Sequence, residues 1–171
     1  MARLLNVPFD VQEQAAGPRA ETFANAGRRT VIDLTGLTLP AIAGGANLGV
    51  GRKIFTFPSG AIKVIGSSIS VALKQTQGNV TADTPDLGLG TTIASGAVAL
   101  LSGTAAFENV LTGQTVTNCN GSVTSTAVAT ELLILSGDSH DLYLNVADGW
   151  AASGEAAMIV SGTVTVTWLP L

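Results

Sequence analysis

The sequence predicts an all-β protein, a jelly-roll-like two-sheet sandwich preceded by an extended N-terminal arm. Three observations carry this. From Val160 to Trp168 every second residue (Val160, Gly162, Val164, Val166, Trp168) is apolar or glycine, with Ser161, Thr163, Thr165 and Thr167 between them, the period of a half-buried strand. Hydrophobic residues make up 46% of the chain and charged ones 12%, while Thr and Gly reach 20 each, a composition that favours strands and turns over helices. Short apolar segments alternate with turn signals, and no repeat of solenoid or propeller period links them, which leaves a sandwich closed by irregular connections. A chain of 171 residues suffices for one domain that buries roughly 70% of its extended surface.

Residues 1–29 read as the arm. Pro8, Gly17, Pro18 and Gly27 interrupt them, neither period persists, and a helical turn around Arg19 to Asn25 is the most structure expected. Strands are predicted over 30–39, 53–57, 61–73, 92–101, 114–119, 122–129, 131–137, 141–147 and 157–169. Residues 93–111 also admit a helix, against which Gly96, Val98 and Gly103 count. Turns fall at Pro58-Ser59-Gly60, Asp86 to Gly90, Gly103, Gly113, Asn120-Gly121, Gly137-Asp138 and Asp148-Gly149. Asn120-Gly121 is the strongest, because both residues tolerate the positive φ of a tight hairpin. Trp168 should share the core face with Val164 and Val166.

Charge is segregated. All eight Lys and Arg residues lie between Arg3 and Lys74, and beyond them stand eight acidic residues and no Lys or Arg. Arg28-Arg29 and Arg52-Lys53 come as isolated pairs without interleaved aromatics, which disfavours direct nucleic-acid binding. Head-to-tail attraction between copies is the more economical reading, so a homo-oligomer is expected, a trimer in preference. The lone Cys119 forms no internal disulfide and reads as a buried small hydrophobe. "MARLLNVPFDVQEQ" lacks the apolar run of a signal peptide and no stretch approaches a membrane span, so a soluble, non-secreted product without membrane contact is expected.

Chemistry is sparse. His140 lies beside Ser139 and Asp141 in a polar turn, and sequence neighbours of this kind do not converge as a catalytic triad. Asp83 and Asp86 offer too few oxygens for Ca²⁺, and Asp148 invites the same turn reading. "GGANLGVG" and "GLGTTIASG" miss the spacing of a phosphate loop. No catalytic residue, metal or cofactor is therefore expected.

The blocks "TPDLGLGT" (84–91), "SGAVALLSGT" (95–104), "FENVLTGQTV" (107–116), "NCNGS" (118–122), "LYLNVADGWA" (142–151) and "SGTVTVTWLPL" (161–171) together resemble small tailed-bacteriophage head decoration, or capsid cement, proteins. The resemblance spans about residues 52–171. It implies a non-enzymatic virion protein, made in the host bacterial cytoplasm, that sits on the capsid exterior and clamps neighbouring major capsid subunits. The arm lies outside these blocks. Its own residues nominate Leu4, Leu5, Phe9, Arg19, Phe23, Arg28 and Arg29 for contact with a neighbour, since large apolar side chains are costly to leave in water and the arginines can meet carboxylates. The alternative reading is a carbohydrate-binding jelly roll or receptor-binding fibre module, with Trp150, Tyr143 and Asp148 around a sugar.

Overall fold

The computed structural model describes residues 8–12, 19–24, 27–42, 48–75, 85–116, 120–128, 131–147 and 157–171. Twelve strands lie among them: β1 (Pro8–Gln12), β2 (Arg19–Ala24), β3 (Arg28–Asp33), β4 (Leu37–Leu39), β5 (Gly49–Thr56), β6 (Ile62–Gln75), β7 (Asp86–Gly90), β8 (Leu111–Thr115), β9 (Asn120–Val128), β10 (Leu132–Ile134), β11 (Asp141–Ala147) and β12 (Met158–Pro170). The large sheet runs β1-β2-β3-β12-β6-β10, with β4 also on β12 and β9 also on β6. The small sheet runs β5-β11-β7-β8. Every pairing is antiparallel.

Setting aside β1, β2, β4 and β10, the remaining eight strands pair first with last: β3 with β12, β5 with β11, β6 with β9, and β7 with β8. That is one long antiparallel ribbon rolled into two facing sheets, the jelly roll the sequence predicts. Burial follows the alternation. Ile32, Val64, Ile69, Val71, Val164 and Val166 of the large sheet are buried in one cluster with Ile54, Leu87, Leu89, Leu142, Leu144 and Val146 of the small one.

Trp168 lies in this core as predicted, 2% exposed. Its ring meets Phe57 edge-on at 5.8 Å, Phe57 meets Phe55 at 5.1 Å, and the indole N–H donates to Thr30 Oγ1 at 3.0 Å. An extra residue in β6 keeps it there: Thr167 pairs with Gly66 and Trp168 with Val64, so Ile65 bulges and the inward faces of both strands stay matched. Gly162 interrupts the valines for a steric reason. Its φ is 133°, and a Cβ there would lie 2.2 Å from the Ser70 carbonyl oxygen.

Several expectations are corrected. Residues 92–101 are not a strand and 93–111 not a helix; the segment is irregular, with short 3₁₀ turns at Leu101–Gly103 and Ala105–Phe107. Its backbone groups are satisfied by other elements, among them the Gly96 carbonyl, which accepts from the Leu48 and Gly49 N–H groups. The expected helical turn near Arg19 is strand β2, because β3 on one side and β1 on the other take up its backbone. Asp86 to Gly90 is not a turn but β7, paired on both sides; its glycines admit close packing, since a Cβ on Gly90 would lie 2.3 Å from the Ala106 carbonyl oxygen. Asn120-Gly121 opens β9 instead of forming a hairpin, because β8 belongs to the small sheet and β9 to the large one. Gly113 likewise lies within β8. The turns at 58–60 and 137–138 stand where expected, while Cys119 and Asp148-Gly149 lie outside the described residues.

Candidate interaction surface

Of the residues nominated for contact, Leu4 and Leu5 lie outside the described residues. Phe9 is on β1, Arg19 and Phe23 on β2, and Arg28 and Arg29 on β3, so all five belong to the β1-β2-β3 end of the large sheet. In the strand register Arg19 lies opposite Asp33, and Phe23 opposite Pro8 on one side and Arg29 on the other. Arg28 pairs with Trp168 and holds its guanidinium 5.5 Å from the indole centroid, a cation–π contact, whereas Arg29 is exposed. The structure thus gathers these residues on one flank but gives Arg28 an internal partner.

Over the outer face of the small sheet lies the 91–110 excursion. Asn145 on β11 is fully buried and uses its whole amide to hold it: Oδ1 accepts from the Ala94 N–H at 2.8 Å, and Nδ2 donates to the carbonyls of Thr92 at 2.9 Å and Phe107 at 2.8 Å. Beside it Ala94, Leu101, Phe107 and Ala147 form a second small core. The Asp86 carboxylate accepts from the Leu101 N–H at 3.1 Å and Glu108 from the Gly113 N–H at 2.6 Å, closing the far side of the excursion. Burial pushes the Asp86 carboxyl above its ordinary value, partly offset by the Leu101 hydrogen bond. The result is a fixed platform that leaves Ile93 and Leu100 exposed.

Charges from the two halves of the sequence also meet within the chain. Lys53 pairs with Asp141 at 3.5 Å and Lys63 with Glu131 at 3.1 Å. Asp141 further accepts from Thr56 Oγ1 at 2.6 Å and from the Tyr143 hydroxyl at 3.2 Å. Burial raises its pKa, but the Thr56 bond, the Lys53 charge and the Tyr143 bond outweigh it, and Asp141 ends below its ordinary value. Burial and the neighbouring Asp141 charge raise Tyr143. Arg52 and Lys53, both exposed, stand on β5, an edge of the small sheet, where charge discourages unwanted strand pairing.

His140 has a structural place. Its Nδ1 lies 3.0 Å from the Asp138 carbonyl and Nε2 2.8 Å from the Gly60 carbonyl, tying the 135–140 turn to the 58–60 turn. Among the described residues no group of three or more His, Cys, Asp or Glu side chains is placed to hold a metal ion, and no helix is long and apolar enough to cross a membrane. Of the sugar-site candidates, Tyr143 is half-buried and bonded to Asp141, and Asp148 and Trp150 lie outside the described residues.

Sequence reasoning missed one surface feature. Leu133, Leu135 and Leu171 are 52%, 52% and 72% exposed at one end of the large sheet. The run "ELLILSG" carried the signal, since four apolar residues in a row cannot all face one core when neighbours point to opposite faces.

The strand order makes this chain a jelly-roll domain, an architecture that viral capsid domains share with lectins and cupins. No family model and no curated protein matches the sequence. Among solved structures, the chain is similar to one from the cyanophage Pam1 capsid asymmetric unit, with 20% identity, a TM-score of 0.42, and 99% of this chain and 100% of that one covered. A chain of the T13 infectious bursal disease virus particle shows 11% identity and a TM-score of 0.40 over 95% of this chain, which spans 36% of that protein. The arabinose-bound α-L-arabinofuranosidase MgGH51 shows 11% identity and a TM-score of 0.39, with 92% and 23% covered.

Proposed function

We propose that this chain is a virion structural protein, a decoration (cement) protein that binds the outside of a tailed-phage head and stabilises contacts between major capsid subunits. The observation that carries the reading is the coincidence of two independent patterns. Most of the blocks that resemble phage decoration proteins overlap framework strands of the jelly roll, "TPDLGLGT" with β7, "LYLNVADGWA" with β11 and "SGTVTVTWLPL" with β12, while "SGAVALLSGT" lies in the 91–110 excursion. A structural role on a lattice also suits a chain with few charges and a rigid platform presenting Ile93 and Leu100.

In this reading residues 1–29 act as the arm and 30–171 as the sandwich. Leu4, Leu5, Phe9, Arg19 and Phe23 lie on or ahead of the β1-β2 edge and Arg28 and Arg29 on the adjoining β3, where they meet a neighbouring subunit or the shell. The working unit is a homo-oligomer, a trimer in preference, on the virion exterior. The deciding experiment is quantitative protein analysis of purified particles, followed by rebinding of the purified chain to particles stripped of it. A fixed stoichiometric ratio to the major capsid protein, saturable rebinding and restored heat resistance are expected. Absence from particles, or rebinding blocked by free sugars, would refute the proposal, the latter in favour of the carbohydrate-binding reading.

A further inference from the structure

We propose that the exposed leucines at the Lys63 end of the large sheet form the seat for the Leu4-Leu5 segment of a second copy of this chain. Pairing register places Leu133, Lys63 and Leu169 in one row across β10, β6 and β12. Their row-mates on either side, Ile62 and Ile134 in one direction and Val64 and Trp168 in the other, are buried, so this row faces outward. Two residues further along lie Leu135 and Leu171, and the Leu171 N–H donates to the Ala61 carbonyl at 2.9 Å. On the other side Leu169 and Ile65 reach the Gly27 backbone: a Cβ on Gly27 would lie 3.2 and 3.8 Å from their side-chain carbons.

The surface is therefore a continuous apolar strip. Lys63 within it pairs with Glu131 at 3.1 Å, and the exposed Arg29 lies on the same outward face beyond Gly27. Leu133, Leu135 and Leu171 alone expose on the order of 300 Å², as much as the largest apolar patch of many monomers, and patches of that size are often functional.

Reach decides the occupant. The strand order brings Pro8 to the same end of the sheet as Trp168, because Pro8 pairs with Phe23, Phe23 with Arg29, and Arg29 with Thr167. The segment preceding Pro8 carries Leu4 and Leu5, the apolar pair a leucine strip would accept. Yet β1 stands five strand positions from β10, roughly 24 Å across the sheet. Leu5 is three residues from Pro8 and Leu4 four, so fully extended they travel at most about 11 and 14 Å. The β12 part of the strip, at Leu169 and Leu171, is three strand positions or about 14 Å from β1, at the limit of a chain's own Leu4, but Leu133 and Leu135 on and just after β10 are beyond it. A neighbour related by symmetry can lay its leucines there, and the exchange repeated around a closed ring covers every such pair.

The test uses the free, full-length protein without capsids, so its failure is separable from failure of the capsid reading. An affinity-tagged Leu5→Cys chain is mixed with an untagged Leu133→Cys chain and oxidised, each variant mixed with wild type serving as the control for Cys119. A disulfide-linked heterodimer well above both controls is expected. Sedimentation equilibrium supplies the second readout: Leu133→Asp with Leu135→Asp should weaken self-association at least tenfold, while Ile93→Asp with Leu100→Asp should not, circular dichroism confirming that both remain folded. Cross-linking no higher than the controls, or self-association unchanged by the Leu133 and Leu135 substitutions, would overturn the proposal. So would an intrachain disulfide in the Leu5→Cys, Leu133→Cys double variant.

Discussion

Truncating Asn145 to Ala should be among the most damaging single changes outside the main core. The amide satisfies three backbone groups of the excursion, the Ala94 N–H and the Thr92 and Phe107 carbonyls. Thr92 is exposed, so its carbonyl can turn to water at little cost. Ala94 and Phe107 are 3% and 7% exposed, and each buried group left unpaired costs about 1–3 kcal/mol, giving a loss of about 2–6 kcal/mol in all. Asn145→Asp is the sharper variant. It keeps the acceptor for Ala94 but turns a carboxylate oxygen towards two carbonyls, so at neutral pH it should lose at least as much. Its deficit against wild type should narrow as pH falls, because the protonated carboxyl regains one donor and its folded pKa is raised. Urea unfolding followed by fluorescence and circular dichroism gives the free energies, and amide hydrogen exchange at Ala94 reports opening of the excursion. If Asn145→Ala unfolds within about 0.5 kcal/mol of wild type with Ala94 still protected, the amide is not what holds the excursion, and the reasoning fails.

Three further outcomes are expected. Trp168→Ala should cost about 3–5 kcal/mol, since it removes a buried indole together with its Phe57 and Arg28 contacts; a thermal midpoint within a degree of wild type would contradict this. Gly162→Ala should cost about 1–3 kcal/mol from its φ of 133° and more from the clash with Ser70, so a variant as stable as wild type in urea would show that the strand can shift there. Asp141 ionises more readily folded than unfolded, so its stabilisation is complete above its ordinary value of 3.8 and lost as pH falls through the lowered folded value. Asp141→Asn should therefore flatten the acid limb of the stability curve while costing less than about 1 kcal/mol at pH 7, this pair being half-exposed; an acid limb as steep as wild type would refute the assignment.

The framework strands were legible wherever one face met the core and the other met water. The Val160–Trp168 alternation shows this; "DLYLNVA" matches β11 residue for residue because its own alternation survives even though the excursion covers Asn145 and Ala147. Legibility failed where a second layer covered a strand. The excursion buries β7 on both faces, so "DLGLG" lost its polar alternation and read as a turn. It also hides Asn145, which from the period of β11 alone should face solvent. The 92–101 segment erred the other way: its apolar residues serve a small local core, and its backbone partners come from Asn145 and the chain at Leu48 and Gly49, which no local pattern encodes. The charge segregation was plain, but its meaning was only partly so, because Lys53–Asp141 and Lys63–Glu131 close within one chain.

The first-with-last pairing of the ribbon has a kinetic consequence. β12 is the last of these strands to leave the ribosome, yet it occupies the middle of the large sheet, between β3 and β6. Until it arrives, β3 and β6 each present an open edge, and the β3–β12 contact must close a loop of more than a hundred residues. Such long-range closure slows folding and leaves unpaired strands exposed while the chain waits. The chain therefore spends its most aggregation-prone moments just before that strand inserts, so a supply of chaperones should raise the yield of folded protein.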